Sequence, residues 1–150
     1  MAQIQKLGVE AEVKCSADKF YGTFKHNITQ LPKFFPQVYK SIELIQGDGA
    51  SVGSVRLWKY EIEGTCIMAK DRTTMVDDKQ RAITWSIIDG ELLNHYNSFE
   101  LKLVSVTPKG DDGCLVKWSL EFEKANEDAP TPTAYMPVLE KVTKELAFHL

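Results

Sequence analysis

The chain has 150 residues, a formal net charge of −3 and 43% hydrophobic residues, and its basic residues are spread among acidic ones. A chain of this length usually forms one domain and buries about two thirds of the surface that its unfolded form exposes. The acidic balance disfavours nucleic acid as a partner. We therefore expect residues 1–150 to form a single domain, and no feature of the sequence marks a dimer surface, so we expect a monomer.

Cysteine and histidine spacing argues against disulfides and metal. Cys15, Cys66 and Cys114 are widely separated and include no CxxC pair, and the histidines show no ligand spacing. Cys66 and Cys114 lie in strand-like runs, where cysteine acts as a small buried apolar residue. No apolar run approaches the ~20 residues of a membrane span or the length of a signal peptide. These features predict a cytoplasmic protein with reduced thiols, no cofactor and no stable membrane insertion.

The first part of the chain predicts one strand and two short helices. Residues 4–14 alternate as a strand, and Ser16 is a candidate N-cap for the helix ADKFYGTFKH. Asn27 is a candidate cap for a second short helix, ITQLPKFF, which Pro32 interrupts and Pro36 ends.

The glycine-rich stretch GDGASVGS at residues 47–54 raises the question of a phosphate-binding loop. Nucleotide-binding loops lead directly into a helix that begins with Lys and Ser or Thr. Here the stretch leads into SVRLWKYEIEG, whose alternation is typical of a strand. Because Gly47, Gly49 and Gly53 can supply positive-φ positions, the stretch predicts a hairpin connection.

The rest of the chain predicts six strands and one long helix. The strands are expected at residues 38–46, 54–63, 65–77, 81–89, 94–107 and 114–124. The helix has Thr131 as its candidate N-cap and Pro132 at its first position. Its apolar residues recur at intervals of three and four. Because this helix is the available cover for a seven-stranded antiparallel sheet, we expect an α+β fold in which a curved sheet wraps around it.

Strand alternation predicts an aromatic inner wall. The inward set comprises Trp58, Tyr60, Ile83, Trp85, Phe99 and Trp118, and the same parity carries His95 and Asn97 inward. Buried tryptophan and tyrosine need partners for their donors. Such a wall fits a cavity with polar contents, and it equally fits a packed core whose donors bond to backbone carbonyls or water.

The segment TCIMAKDRTTMVD at residues 65–77 has no purely apolar face. Met68, Lys70 and Arg72 share one side, whereas Ala69 and Asp71 share the other. Charges on the inner side would need partners, because an unpaired buried charge is costly. The facing of Lys70 and Arg72 is left open by the pattern.

The residues together resemble the plant major latex proteins, a branch of the birch-pollen-allergen and pathogenesis-related superfamily with a START-like helix-grip fold. The resemblance rests on GDGASVGSVRLWKY, AKDR, SIIDGELLNHYNSFE and KWSLEFEK, in order and with matching spacing over essentially the whole chain. It implies a large internal cavity for hydrophobic or amphipathic molecules and a role in plant defence and stress responses. It also implies an entrance near Tyr135, Leu139 and residues 27–36.

We therefore expect a non-enzymatic intracellular carrier without catalytic residues. The expected ligand-binding residues are Trp58, Tyr60, Met68, Ile83, Trp85, His95, Asn97, Phe99, Trp118, Tyr135, Leu139 and Val142. The alternative is a cavity enzyme similar to the norcoclaurine synthase branch, which condenses an amine with an aldehyde. Its candidate parts would be Lys70, Tyr60, Tyr135 and His95, with no carboxylate expected inward beside them.

Overall fold

The computed structural model describes residues 3–150, so the first two residues of the expected domain lie outside the described part. In chain order the elements are β1 (Ile4–Val13), α1 (Ala17–His26), α2 (Leu31–Phe34), β2 (Tyr39–Gln46), β3 (Val55–Ile62), β4 (Thr65–Asp77), β5 (Ala82–Gly90), β6 (Tyr96–Lys109), β7 (Gly113–Lys124) and α3 (Tyr135–Leu146). Short 3-10 turns cover Ile28–Gln30, Glu91–Asn94 and Ala147–His149.

The seven strands form one antiparallel sheet in the order β1-β7-β6-β5-β4-β3-β2. Helix α3 lies against its inner face, where the Trp118 indole N–H donates to Thr143 Oγ1 at 2.8 Å. The predicted α+β fold, a curved sheet that wraps around the C-terminal helix, is confirmed. None of the helices within residues 3–150 is long and apolar enough to cross a membrane.

The short helices follow the predicted order but not all of the predicted caps. Ser16 caps α1 as expected, because its Oγ accepts a hydrogen bond from Lys19 N–H at 3.2 Å. Asn27 occupies the predicted N-cap position, at the start of the 3-10 turn Ile28–Gln30, but its side chain makes no capping bond. The segment ITQLPKFF is divided next to Pro32, as predicted, into the 3-10 turn Ile28–Gln30 and α2. Pro32 lies in the first turn of α2, where its missing N–H would have no helical partner.

Helix α3 begins later than the sequence predicts. Thr131 is not its cap, and the helix starts at Tyr135, with Ala134 at the N-cap position and no side-chain capping bond. The preceding backbone turns instead, with Thr133 N–H donating to the Thr131 carbonyl at 2.8 Å. This turn delays the start of the helix beyond Pro132.

The glycine-rich stretch connects β2 to β3, which confirms the predicted hairpin. Gly47, Gly49 and Gly53 have φ values of +87°, +85° and +96°, a region that side chains disfavour. The Asp48 carboxylate accepts hydrogen bonds from the Ala50 and Ser51 N–H groups, each at 2.8 Å. The loop therefore directs these amides toward its own acidic side chain.

Helix α1 contributes to the core together with α3, whereas the sequence reasoning assigned the cover of the sheet to the C-terminal helix alone. The ring of Phe24 lies 5.1 Å from that of Trp118 and 6.3 Å from that of Trp85. Cys114 is buried as predicted. Cys66 is exposed instead, because it lies near the start of β4 on the side opposite Ala69.

Candidate functional site

An internal cavity lies between the inner face of the sheet and the helices. Its volume is about 90 Å³, which is room for several water molecules. Its wall is mainly apolar and aromatic, and consists of Phe24, Ile28, Val38, Tyr39, Trp58, Tyr60, Ile62, Ala69, Asp71, Trp85, Ile87, Phe99, Leu101, Trp118, Leu120, Tyr135, Val138, Leu139 and Val142.

Most of the residues expected to bind ligand lie in this wall. They are Trp58, Tyr60, Trp85, Phe99, Trp118, Tyr135, Leu139 and Val142. All three tryptophans of the chain therefore line the cavity. That these residues contact a ligand stays a prediction, but the structure brings them together.

Two expected residues lie elsewhere. Ile83 is buried in the core, with 2% of its surface exposed, but it does not line the cavity. Met68 is 46% exposed on the outer face of β4. Because neighbouring Ala69 faces the cavity, alternation places Met68 on the opposite face of the strand.

His95 and Asn97 are also outside the cavity, and both are exposed. The pairing of β6 with β7 shifts register between Tyr96 and Ser98. Such an irregularity reverses the facing of the strand, so that Tyr96 and Phe99 both point inward. The prediction extended the alternation of β6 from Phe99 back to His95 and Asn97. It therefore placed these two residues on the wrong side of the sheet.

The facing of β4 is settled by the structure. Asp71 is 4% exposed and lines the cavity, whereas Arg72 is exposed and Lys70 is absent from the wall. The expectation that no carboxylate faces inward is therefore wrong. Its signal was present in the sequence, since Asp71 shares the parity of Ala69 in AKDR.

Asp71 is paired with a buried arginine that the sequence analysis missed. Arg56 lies opposite Asp71 in the β3–β4 register and is 2% exposed. Its Nη1 is 3.8 Å from Asp71 Oδ1, and its Nη2 donates to the Gly49 carbonyl at 2.7 Å. Arg56 thus connects the glycine-rich loop to the cavity wall. It shares strand parity with Trp58 and Tyr60, which was the available signal.

Burial acts on both members of this pair. It raises the pKa of Asp71 to about 6, against the opposing effects of the Arg56 charge, the Trp58 indole N–H and the Arg56 backbone N–H. The indole N–H approaches the carboxylate but does not reach the geometry of a full hydrogen bond, so Trp58 Nε1 and Asp71 Oδ1 both remain without a partner. It also lowers the pKa of Arg56, while Asp71 acts in the other direction. An arginine remains protonated at neutral pH. The pair is therefore net neutral above about pH 6.

Several buried polar atoms around this pair lack a hydrogen-bond partner in the described part of the chain. They are Arg56 Nη1, Trp58 Nε1, Asp71 Oδ1, Thr73 Oγ1 and Trp85 Nε1. In proteins, buried polar atoms have partners in the large majority of cases. Because Trp58, Asp71 and Trp85 line the cavity, their unpartnered atoms are suited to a polar group of a bound molecule.

Two tyrosine hydroxyl groups form a second polar site in the cavity wall. The hydroxyl oxygens of Tyr60 and Tyr135 lie 2.6 Å apart, with the rings in a T-shaped arrangement. Burial raises the pKa of Tyr60 and raises that of Tyr135 to about 12. Both phenols are therefore neutral at physiological pH. Because one hydroxyl donates to the other, one proton remains available to a ligand.

Within residues 3–150, no group of three or more His, Cys, Asp or Glu side chains is placed to hold a metal ion. What the cavity can do is enclose an apolar molecule and bond its polar groups at two points: the Arg56–Asp71 pair and the Tyr60–Tyr135 pair.

Comparison with known proteins identifies relatives of the whole chain. Residues 2–150 match the model of the pathogenesis-related protein Bet v 1 family. Major latex protein 146 of Papaver somniferum is 39% identical over 148 residues, which cover 98% of this chain and 91% of the relative. MLP-like protein 43 of Arabidopsis thaliana is 35% identical over 148 residues, which cover 98% of this chain and 93% of the relative.

Solved structures agree with the sequence relatives. Ginseng major latex-like protein 151 from Panax ginseng superposes with a TM-score of 0.91 at 29% identity, over 97% of each chain. A norcoclaurine synthase from Thalictrum flavum has a TM-score of 0.80 at 22% identity, over 99% of this chain and 97% of that one, and shares the fold. With a family match over residues 2–150 and major latex proteins among its relatives, the chain belongs to the pathogenesis-related protein Bet v 1 family.

Proposed function

We propose that this protein is an intracellular carrier that binds small hydrophobic or amphipathic molecules in its internal cavity. The observation that carries the proposal is the cavity wall of aromatic and aliphatic side chains, in which Asp71 is the single charged residue among those described. Burial of ligand surface there contributes roughly 25 cal/mol per Å² before the costs of association. The ligand classes are lipids, sterol-like molecules or plant specialised metabolites.

The biological setting is proposed from the family. In this proposal residues 1–150 act as one domain and as a monomer in the cytoplasm, in plant defence and stress responses. The ligand enters between residues 27–36 and the start of α3. The positions of Ile28, Tyr135 and Leu139 in the cavity wall support this route, because all three belong to these segments.

Filling the cavity tests the proposal. Leu139 lines the wall and is 7% exposed, so Leu139→Trp would occupy space that a ligand needs. The probe is the neutral, fluorescent N-phenyl-1-naphthylamine. We expect its affinity to fall by about tenfold or more, which corresponds to roughly 1.4 kcal/mol. Circular dichroism and thermal unfolding report whether the variant keeps the fold.

Lys141→Trp is the matched control, because Lys141 lies on the exposed face of the same helix. It adds the same side chain outside the cavity, and we expect unchanged dye affinity. Equal affinity in the Leu139→Trp variant, with the fold intact, would contradict an internal binding site.

A cavity enzyme is the second candidate, and the position of Asp71 favours it. A carboxyl group with a pKa of about 6 that lines a cavity is suited to proton transfer near neutral pH. The lysine and histidine that the sequence suggested, Lys70 and His95, do not line the cavity. A related synthase from Thalictrum flavum was crystallised with dopamine and hydroxybenzaldehyde, so this amine and aldehyde are the substrates to try first.

A time course followed by mass spectrometry distinguishes the two functions. A condensation product that accumulates with the natural protein, and fails to do so with Asp71→Asn, would establish catalysis. Ligands that bind in stoichiometric amounts and are recovered unchanged would support the carrier.

A further inference from the structure

The unpartnered atoms of the cavity wall belong to neighbouring inward positions on three adjacent strands. Arg56 lies opposite Asp71 in the β3–β4 register, and Trp58 lies opposite Ala69, one inward position along β3. Trp85 on β5 lies opposite Thr73, one inward position from Asp71 along β4. Because adjacent strands are about 4.8 Å apart, these residues occupy neighbouring inward positions in one part of the sheet.

The atoms are enclosed and chemically specific. Arg56, Asp71 and Trp85 are each less than 5% exposed, and the Trp58 Nε1 atom is buried although its ring is only half-buried. Asp71, Trp58 and Trp85 line the cavity directly. Their unpartnered atoms are Asp71 Oδ1 and the two indole N–H groups, with Arg56 Nη1 beside them. The region thus presents three donors and one carboxylate acceptor, and the unpartnered Thr73 hydroxyl, buried at the next inward position of β4, can act as either.

Charge decides which polar group suits this region. The Arg56–Asp71 pair is net neutral at neutral pH, and the phenols that line the cavity are neutral as well. A ligand carboxylate would lie against the Asp71 carboxylate and would leave a net negative charge buried. A ligand ammonium group would lie against the Arg56 guanidinium and would leave a net positive charge buried. An ether or ketone oxygen accepts hydrogen bonds but offers no proton to Asp71 Oδ1. A hydroxyl group both accepts and donates.

We propose that Arg56, Asp71, Trp58 and Trp85 form a subsite for a neutral hydroxyl group, so that the ligands of this cavity are alcohols or phenols with an apolar body. The hydroxyl oxygen accepts from an indole N–H or from Arg56 Nη1, and its proton is donated to Asp71 Oδ1. This inference rests on the proposed binding function and specifies the ligand class that the cavity selects.

A series of ligands with one apolar body tests the subsite. We would titrate 1-decanol, decyl methyl ether, decanoate and decylammonium at pH 7.5 and follow the fluorescence of the three tryptophans, all of which line the cavity. The expected result is that 1-decanol binds at least about tenfold more tightly than each of the other three.

The outcomes separate this inference from the function on which it rests. If the four compounds bind with similar affinity, or decanoate binds most tightly, the cavity binds ligands but the hydroxyl subsite is refuted. If none of them binds and N-phenyl-1-naphthylamine does not bind either, both the carrier function and the subsite are refuted. An unchanged alcohol affinity after removal of the subsite donors would show that these atoms bind only water.

We expect Asp71→Asn to change the relative affinities of the protein for 1-decanol and decanoate. A purely structural role of Asp71 would not produce such a change. The variant leaves the Arg56 charge unbalanced, so we expect decanoate to gain relative to 1-decanol and the tenfold preference for the alcohol to be lost or reversed. Asp112→Asn is the matched control, since it removes the same charge from an exposed turn and should keep the preference. An unchanged preference in a folded Asp71→Asn protein would overturn the proposal.

Trp58→Phe gives an independent test if Asp71→Asn does not fold. It removes one donor and keeps an aromatic ring in the wall. We expect a lower ratio of 1-decanol affinity to decyl methyl ether affinity. A ratio equal to that of the natural protein in both Trp58→Phe and Trp85→Phe would contradict the subsite.

Discussion

The hydroxyl oxygens of Tyr60 on β3 and Tyr135 on α3 lie 2.6 Å apart and connect the sheet to the first turn of the C-terminal helix. Both phenols are kept neutral by burial, so their contact is a hydrogen bond between uncharged groups. The same contact places a polar point in the cavity wall. It therefore contributes both to the packing of α3 and to the chemistry of the cavity.

Removing one member of this pair should cost stability. Tyr135→Phe leaves the buried Tyr60 hydroxyl without its partner, and we expect the free energy of unfolding to fall by about 1–2 kcal/mol. The double variant Tyr60→Phe/Tyr135→Phe should be more stable than the sum of the single changes predicts, because it leaves no unpartnered hydroxyl. Urea unfolding measures all three variants. Strictly additive effects would contradict a coupling between the two residues.

A second hydrogen bond fixes the middle of α3 to the sheet. The Trp118 indole N–H donates to Thr143 Oγ1 at 2.8 Å, and both residues are almost fully buried. Thr143→Val keeps the shape but leaves the indole without an acceptor, so we expect a loss of about 1–3 kcal/mol in urea unfolding. Thr143→Ser retains the hydroxyl and is the control for the bond itself. A Val variant as stable as the natural protein would show that the bond contributes little.

Gly90 at the end of β5 should tolerate no side chain. Its φ is +120°, and a Cβ atom there would lie 2.5 Å from the Met68 carbonyl oxygen. Gly90→Ala must therefore move the β4 backbone, and we expect a lower melting temperature from a loss of more than about 1 kcal/mol.

The control is Gly22→Ala in helix α1, where a Cβ would meet no atom within 4 Å. There the replacement should raise stability by roughly 0.5–1 kcal/mol, because alanine favours the helix. Similar melting temperatures for the two alanine variants would contradict the steric argument.

Asp71 predicts a particular dependence of stability on pH. Its folded pKa of about 6 lies above the ~3.9 expected in the unfolded chain, so the folded protein holds the proton more tightly. The raised pKa of Asp71 therefore adds roughly 3 kcal/mol to the free energy of unfolding below about pH 4, and this contribution is lost as the pH rises through about 6.

The comparison of the natural protein with Asp71→Asn isolates this contribution, because both share every other titrating group. Urea unfolding at intervals from pH 4.5 to 7.5 should show the natural protein losing stability relative to the variant as pH rises. A constant difference across this range would mean that the pKa of Asp71 is not raised in the folded state.

Local patterns predicted most of the fold because their physical causes are local. The alternation in residues 114–124 placed β7 within one residue of its bounds, and Ser16 identified the start of α1. The turns that flank residues 65–77 placed β4 at its observed bounds. The short connections predicted antiparallel pairing, and the periodicity of α3 identified the helix that the sheet wraps around.

The errors arose where the cause is not local. The facing of His95 and Asn97 depends on an irregularity in the pairing of β6 with β7, which no alternation within β6 reveals. The inward position of Asp71 had a local signal in the parity that it shares with Ala69, but the partner of its buried charge, Arg56, lies 15 positions earlier in the chain. The sequence also could not distinguish a cavity from a packed core, because that outcome depends on how the volumes of all the wall residues add up.

The indole N–H signals of the three tryptophans test the central claim most directly. In a ¹⁵N-labelled sample, two-dimensional NMR resolves one such signal each for Trp58, Trp85 and Trp118, all in the cavity wall. On addition of 1-decanol we expect the largest shifts for Trp58 and Trp85, whose N–H groups have no partner, and a smaller shift for Trp118, which is bonded to Thr143. Indole signals that stay unchanged while exposed backbone amides shift would show that the ligand binds outside the cavity.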